Sequence, residues 1–174
     1  MQILPPLPEE NFGHFSNYIN KVNTVELLKG LDDNQEVLTQ KMLALDEATL
    51  NFKYQPDKWT IKEVIGHVID TERIFAYRAL RFARKDKTAL AGYDEVLYGD
   101  TSNAGQRDIQ DLLEEFVAVR KASITLFKSF NEEMLNEKGI ASNFTISARG
   151  LGYAILGHCT HHLQIIDERY LKKI

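Results

Sequence analysis

The chain has 174 residues, of which 44% are apolar and 26% are charged, and its formal net charge is −4 at pH 7. This length and balance are typical of one globular domain. The sequence has no block of lysine and arginine, so we expect no nucleic-acid partner. Cys159 is the only cysteine, which excludes an intrachain disulfide and a cysteine-rich structural zinc site.

The N-terminal sequence, MQILPPLPEE, lacks the charged and apolar regions of a secretory signal peptide. No uninterrupted apolar run approaches the roughly 20 residues that a membrane-spanning helix needs. We therefore expect a cytoplasmic protein with no membrane partner. The prolines indicate an extended arm, and with a short helix at 14–22 this arm would occupy residues 1–23 of a single domain spanning 1–174.

Four segments have the apolar periodicity of long amphipathic helices. They are residues 24–45, 60–84, 107–130 and 146–173. Thr24 is the predicted N-cap of the first helix and Ser147 a candidate cap of the fourth, while Thr60 and Glu63 have the capping-box spacing at the start of the second. Because few segments alternate with period two, we predict no sheet. The expected fold is all-α, a four-helix bundle.

The connections between these helices are long. Residues 50–60 and 85–105 could each cross the end of the bundle, so a simple up-down topology is not assured. Loops of more than fifteen residues, such as 86–106, often serve function. We interpret residues 131–145 as a turn region in which Gly139 ends the preceding structure.

Histidines are concentrated in two places. Three of the five fall within GHCTHH, residues 157–162, and a fourth, His67, lies in GHVID. Because each helical residue advances by about 100°, His158 and His162 lie roughly 40° apart on the apolar face of the fourth helix. His161 lies at the edge of that face, and His67 shares the apolar stripe of the second helix.

Buried imidazoles without partners are costly, and a divalent cation would satisfy them. Two ligands at i and i+4 with a third from another helix give a three-histidine site with open positions, as in catalytic zinc sites. We therefore predict a metal site at His67, His158 and His162. Zinc and nickel suit it best, with iron or manganese as further candidates. The alternative is a hydrogen-bonded histidine network without metal.

Residues near the histidines also have structural interpretations. Gly66 and Gly157 precede His67 and His158 and predict that another helix approaches closely at each position. Cys159 points about 100° away from His158, and we interpret it as a packing residue.

Charged residues near His67 leave alternatives open. Arg78 and Arg81 share its stripe, and either could reach the pocket and bind an anionic substrate group, although surface ion pairs are the simpler interpretation. Glu63 could accept a hydrogen bond from the His67 ring, although its capping-box role is favoured. His14 is interpreted as a surface residue.

Two segments together resemble the DinB-like superfamily, including its YfiT-type members. They are YQPDKWTIKEVIGHVIDTERIFAYRALRFAR, residues 54–84, and GHCTHHLQIIDERYL, residues 157–171, within a similarity that runs from about Leu27 to Tyr170. The resemblance implies a four-helix bundle of unusual topology that binds a divalent metal through His67, His158 and His162, with His161 a less usual ligand. It also implies bacterial cytoplasmic proteins, often homodimers, some of which are thiol transferases.

The leading hypothesis is a metal-dependent enzyme, either a thiol S-transferase or a hydrolase, acting on a small molecule such as a low-molecular-weight thiol. The metal would lower the pKa of a bound thiol or water and so generate the nucleophile. The alternatives are a non-catalytic metal-binding or stress-related binding module, and a structural bundle whose histidines form a hydrogen-bond network.

A homodimer is also expected from the apolar pattern of the third helix. Two lines of apolar residues follow this helix, whereas packing in one bundle requires one. The first line is Leu112, Phe116 and Val119, and the second is Leu113, Val117 and Ile124.

Overall fold

The computed structural model of the protein describes residues 2–7, 10, 12–22 and 25–172. A 3₁₀ turn, Gly13–Phe15, leads into the first helix. The elements that follow are α1 (Ser16–Ile19), α2 (Leu27–Leu43), α3 (Glu47–Leu50), α4 (Ile61–Ala83), α5 (Glu95–Thr101), a 3₁₀ turn (Ala104–Gln106), α6 (Ile109–Lys128), α7 (Glu132–Asn136), β1 (Lys138–Ala141), β2 (Phe144–Ser147) and α8 (Ala148–Ile165), which continues as a π-helical segment (Ile166–Leu171).

The four long helices α2, α4, α6 and α8 form a bundle, as the sequence predicts. Helix α2 packs against α6 and α8, and α4 packs against the same two helices. The first and second long helices therefore lie diagonally across the bundle, whereas an up-down bundle would make them neighbours. None of the helices in the described ranges is long and apolar enough to cross a bilayer.

Side-chain caps fix where the long helices begin. The Thr60 hydroxyl accepts a hydrogen bond from the Glu63 amide at 3.1 Å, and the Glu63 carboxylate accepts one from the Thr60 amide at 2.7 Å. This reciprocal pair confirms the predicted capping box. The predicted cap at Ser147 is also confirmed. Helix α2 begins after Glu26, whose carboxylate caps it, and Thr24, the cap predicted from the sequence, lies outside the described residues.

The prediction of no sheet is wrong, because β1 and β2 pair as an antiparallel hairpin. Its two turn residues, Ser142 and Asn143, have φ angles of 50° and 68°. Left-handed residues at both positions match the right-handed twist of a two-residue hairpin. Burial alternates along β1, but its buried residues are Gly139 and Ala141 and the exposed one is Ile140, so the residue types show no alternation of polar and apolar. Gly139 lies within β1, where a Cβ atom would stand 2.2 Å from the Phe82 ring.

The long connection before α6 also contains regular structure. Helix α5 and the Ala104–Gln106 turn both pack against α4. Upstream of them, Leu90 forms a parallel bridge to Ala141. The connection therefore covers one side of α4 and meets the hairpin.

Apolar side chains fill two clusters, one at each end of the bundle. One contains Phe75 and Leu156, and the other contains Val68 and Cys159. Along α8 the change from one cluster to the other falls between Leu156 and Cys159, the stretch that carries His158. The polar site therefore lies at the level where the two clusters meet.

Candidate metal site

The three predicted ligands lie together. The Nε2 atom of His158 is 3.0 Å from Nε2 of His67 and 3.1 Å from Nε2 of His162. One ring nitrogen from each residue falls within 4.8 Å of the other two. His67 and His158 are buried, and His162 is partly buried. Helices α4 and α8 thus bring three imidazoles to one point.

Close backbone approach at two glycines holds the neighbouring segments against this cluster. A Cβ atom on Gly157 would lie 2.1 Å from the carbonyl oxygen of Tyr18, and one on Gly66 would lie 2.7 Å from Cβ of Ala104. The predicted close approach is therefore confirmed, although the partners are α1 and the 104–106 turn. This packing places the Tyr18 ring edge-on to the ring of His158, with 5.2 Å between the centroids.

Burial keeps these imidazoles neutral. It lowers the pKa of His67 to about 4, against a weaker opposing effect of Glu95. Burial, reinforced by His67 and His161, lowers the pKa of His162 to about 3. For His158 burial again dominates, and the other histidines add to it, so its pKa lies well below the usual range. Neutral imidazole is the form that binds metals.

The chemistry of this donor set fits a divalent cation. A neutral imidazole Nε2 carries either a proton or a lone pair, so the Nε2 of His158 cannot donate to one neighbour while it accepts from the other. Within the described residues, Nδ1 of His162 is buried and has no hydrogen-bond partner. Three lone pairs directed at one cation would remove this conflict at Nε2 of His158. Nitrogens bound to zinc at about 2.0–2.1 Å lie roughly 3 Å from one another, close to the distances seen here.

A cavity of about 530 Å³ opens onto the three histidines. This volume is typical of sites for small molecules. Its other walls come from the Gly13–Phe15 turn, α1, the loop before α4, α4 itself, α8, the 85–95 segment, the start of α5 and the hairpin turn. They are His14, Tyr18, Trp59, Thr71, Phe75, Arg78, Gly92, Tyr93, Glu95, Ser142 and His161.

The two arginines on the His67 stripe have different environments. Arg78 is buried and lines the cavity, where its NH2 nitrogen donates to the carbonyl oxygen of Ala91 at 2.8 Å and to Oγ of Ser142 at 3.1 Å. Arg81 instead forms an ion pair with Asp86 and does not line the cavity. Of the two alternatives, only Arg78 is placed to meet a substrate.

The family follows from the sequence match. The DinB superfamily model matches residues 27–166. The chain belongs to the DinB superfamily. Its fold is similar to that of YfiT from Bacillus subtilis, described as a probable metal-dependent hydrolase with an unusual four-helix bundle topology. That structure matches with a TM-score of 0.78 and 16% identity over 97% of this chain and 93% of the other. The comparison with curated proteins gives no match.

Several cavity residues of this DinB protein are absent from the sequence prediction. Tyr93 shares a hydrogen bond of 2.7 Å with Thr71, and Tyr18 reaches the cavity from α1. Burial raises the pKa of both phenols, so both hydroxyls are protonated at neutral pH. Neither tyrosine lies in a motif, and only the length of the 86–106 connection signalled that it could contribute to function.

The remaining sequence candidates lie around the site. His161 is half-buried at the cavity wall, with its ring centroid 5.2 Å from that of His162. His14 is exposed, as expected, and it also lines the cavity. Glu63 serves the capping box. Cys159 is buried in the core, which confirms the packing interpretation, and burial raises its pKa to about 11.

Proposed function

We propose that His67, His158 and His162 bind a divalent cation, with zinc and nickel ahead of iron and manganese. The observation that carries this proposal is the convergence of three neutral Nε2 atoms beside an open cavity. Three imidazoles leave coordination positions free, which is the arrangement of catalytic zinc sites. The cavity wall supplies room for a small molecule next to those positions.

We propose that the protein is a metal-dependent enzyme, a hydrolase or a thiol S-transferase. When bound, the cation supplies Lewis acidity and lowers the pKa of a coordinated water or thiol. Hydrolysis is favoured by the likeness to YfiT, which is described as a probable metal-dependent hydrolase. Thiol transfer is favoured by the resemblance of the sequence to DinB-like thiol transferases. Cys159 is buried in the core and does not line the cavity, so a cysteine nucleophile finds no support here.

The chain's own residues bind and orient the substrate. The protonated hydroxyls of Tyr18 and Tyr93 can donate hydrogen bonds into the cavity. The rings of Trp59 and Phe75 line it and limit the access of water to the histidines. Glu95 is an exposed residue of the cavity wall and gives that wall a negative charge.

Metal analysis and turnover test this proposal. Protein purified without a histidine tag is expected to take up one equivalent of zinc or nickel, and His67→Gln to take up none, by elemental analysis after gel filtration. His14→Gln is the matched control, because it removes an exposed histidine outside the triad. Turnover of chromogenic esters, or of a thiol with a chromogenic electrophile, should be lost on chelation and restored by the metal. Metal uptake without turnover would indicate a non-catalytic binding module, and no uptake would refute the metal site.

We also propose that residues 1–174 act as one domain that forms a homodimer. Both apolar lines of α6 contribute residues to the core, but Val117 lies outside both core clusters and lines, with Leu113, a groove between α6 and α2. Exposed Leu43 borders this groove, and exposed Val37 lies on the same helix. Light scattering at micromolar concentration should give twice the 19.9 kDa of one chain. Val117→Lys should then give monomers, and a monomeric wild type would refute the dimer.

A further inference from the structure

Arg78 is a buried cation without a buried anion. Its exposed fraction is 3%. Among the residues that the structure describes, no aspartate or glutamate forms an ion pair with it, and its two hydrogen-bond acceptors, Ala91 and Ser142, are neutral. Both acceptors bind the NH2 nitrogen alone, which leaves the donors on Nε and NH1 for another partner.

The same bundle shows how it buries an arginine that serves the fold. Arg120 is fully buried, and its Nε and NH2 nitrogens donate to the Glu72 carboxylate at 2.9–3.1 Å, while NH1 donates to the carbonyl oxygen of Leu31 at 2.8 Å. Removing a charge from water is costly unless an opposite charge compensates it. Arg120 has that compensation within the chain, and Arg78 does not.

The position of Arg78 indicates where its counter-charge would come from. Arg78 lines the cavity that opens onto the three histidines. The Phe75 ring is close to both groups, with its centroid 5.8 Å from the guanidinium carbon of Arg78 and 6.2 Å from the ring centroid of His158. The guanidinium carbon and the His158 ring are therefore no more than about 12 Å apart, a distance that one small molecule can bridge.

We infer that Arg78, together with Ser142, forms a subsite for an oxyanionic group, a carboxylate or a phosphate, on a small substrate whose reacting end lies at the histidines. This inference rests on the proposed function, because it places the reacting end at the metal. The free Nε and NH1 donors can each give a charge-assisted hydrogen bond to an oxygen of a carboxylate or phosphate. The Ser142 hydroxyl, which accepts from NH2, can donate its own proton to such a group.

The test uses cobalt-substituted protein and a series of ω-mercapto acids of increasing chain length. A thiolate that binds cobalt produces a charge-transfer absorption band, so the band reports the thiol at the histidines and its titration gives the affinity. Each mercaptocarboxylate is compared with the primary amide of the same length, and a mercaptophosphonate series distinguishes phosphate-like from carboxylate tails. We expect one chain length at which an oxyanionic tail binds at least about tenfold tighter than the amide.

Arginine variants test whether Arg78 causes the preference for an oxyanionic tail. Arg78→Met should bind the acid and the amide equally, and Arg78→Lys should keep part of the preference because it keeps the charge. The matched control is Arg81→Met, which makes the same charge change on the same helix outside the cavity and should behave as wild type. The cobalt spectrum without thiol verifies that the histidines of each variant are intact.

Two results would overturn the inference: equal affinities for acid and amide at every length in the wild type, or a preference that persists in Arg78→Met. The first needs no variant, so it decides the question even where Arg78→Met does not fold. Failure of the proposed function would give a different result, because the protein would then take up no cobalt. In that case Trp59, the only tryptophan and a residue of the cavity wall, reports binding of butyrate, phosphate or butyramide to metal-free protein. An anion preference that Arg78→Met removes would support the subsite, and no preference would overturn it.

Discussion

The Nε2 atom of His158 lies 3.0 Å from Nε2 of His67, although 91 residues separate them in the sequence. Two neutral imidazoles at this distance can share one hydrogen bond, but Nε2 of His158 cannot donate to one neighbour and accept from the other, whereas a shared cation satisfies all three rings. A ligand that binds only the native state stabilises it by about 2.7 kcal/mol at a hundred times its dissociation constant. The cluster should therefore make stability depend on metal.

We predict that zinc or nickel at that concentration raises the melting temperature of the metal-free protein by roughly 5–10 °C. A chelator should reverse the rise, and His158→Ala should abolish it, as measured by calorimetry. His161→Gln, which changes a half-buried neighbour outside the triad, should retain most of it. Identical melting curves of the wild type in zinc, nickel and chelator would contradict specific binding.

Acid should destabilise the metal-free protein through its buried histidines. His67 and His162 have pKa values of about 4 and about 3 in the native state, against 6.5 for an ordinary histidine. Below pH 6.5 the unfolded chain therefore binds protons that the native state does not. The free energy of unfolding should fall as the pH decreases from about 6.5 to about 4, by roughly 1.4 kcal/mol per pH unit for each such proton.

Denaturant titrations between pH 7 and pH 4.5 measure this slope. His67→Gln should reduce it by about one proton, because glutamine does not titrate. His14→Gln should reduce it less, because His14 is exposed and the lowering of its pKa by burial is weaker. A slope that is unchanged in His67→Gln would show that His67 is not the buried neutral imidazole described here.

The buried pair of Arg120 and Glu72 should be costly to break on one side. Glu72→Gln leaves the fully buried guanidinium without its counter-charge, so we expect a loss of about 3–5 kcal/mol in the free energy of unfolding. Replacing both residues, as Glu72→Leu with Arg120→Met, should restore most of it. Asp33→Asn, which breaks an exposed ion pair with Lys29, should cost less than about 1 kcal/mol. Denaturant unfolding of the three variants tests the ranking.

Gly157→Ala should destabilise the protein although alanine favours helices. The propensity gain is about 1 kcal/mol, but the new methyl would lie 2.1 Å from the backbone carbonyl oxygen of Tyr18, and overpacking of this kind costs about 1–3 kcal/mol. The net effect should be a loss of stability and weaker metal binding, because α1 must move away from His158. Gly92→Ala is the control, since its nearest neighbour in Ser142 is at an ordinary 3.6 Å. Unchanged stability of Gly157→Ala would show that α1 yields without cost.

Local patterns predicted the bundle and the triad because both depend on helical periodicity. The capping box at Thr60, the stripe of His67 and the i, i+4 pair of His158 and His162 follow from spacing along one helix. Spacing along the helix could not show whether Arg78 or Arg81 reaches the cavity, since both lie on the same stripe. Only packing of the hairpin and the 85–95 segment distinguishes the two arginines.

Other parts of the site could not be predicted from the sequence, for physical reasons. In the hairpin the apolar Ile140 is exposed between buried Gly139 and Ala141, so β1 lacks the usual polar and apolar alternation, and the turn residues Ser142 and Asn143 are not the usual Asn-Gly pair. Tyr18 and Tyr93 reach the cavity from segments whose positions depend on long-range packing. Such contacts leave no signal in local sequence.

Because α4 packs on α6 and α8 and not on α2, the order of synthesis determines when the metal site can form. His158, the partner of His67, is synthesised 91 residues later, in α8. At about 5–20 residues per second, the ribosome takes roughly 5–20 s to make that stretch. Helix α4 packs on α6 and α8, both of which are synthesised after it. A nascent chain that ends before α8 lacks His158 and His162, so it has no histidine cluster that could bind a cation. The histidine cluster is thus a late product of folding, and its formation reports that the bundle is complete.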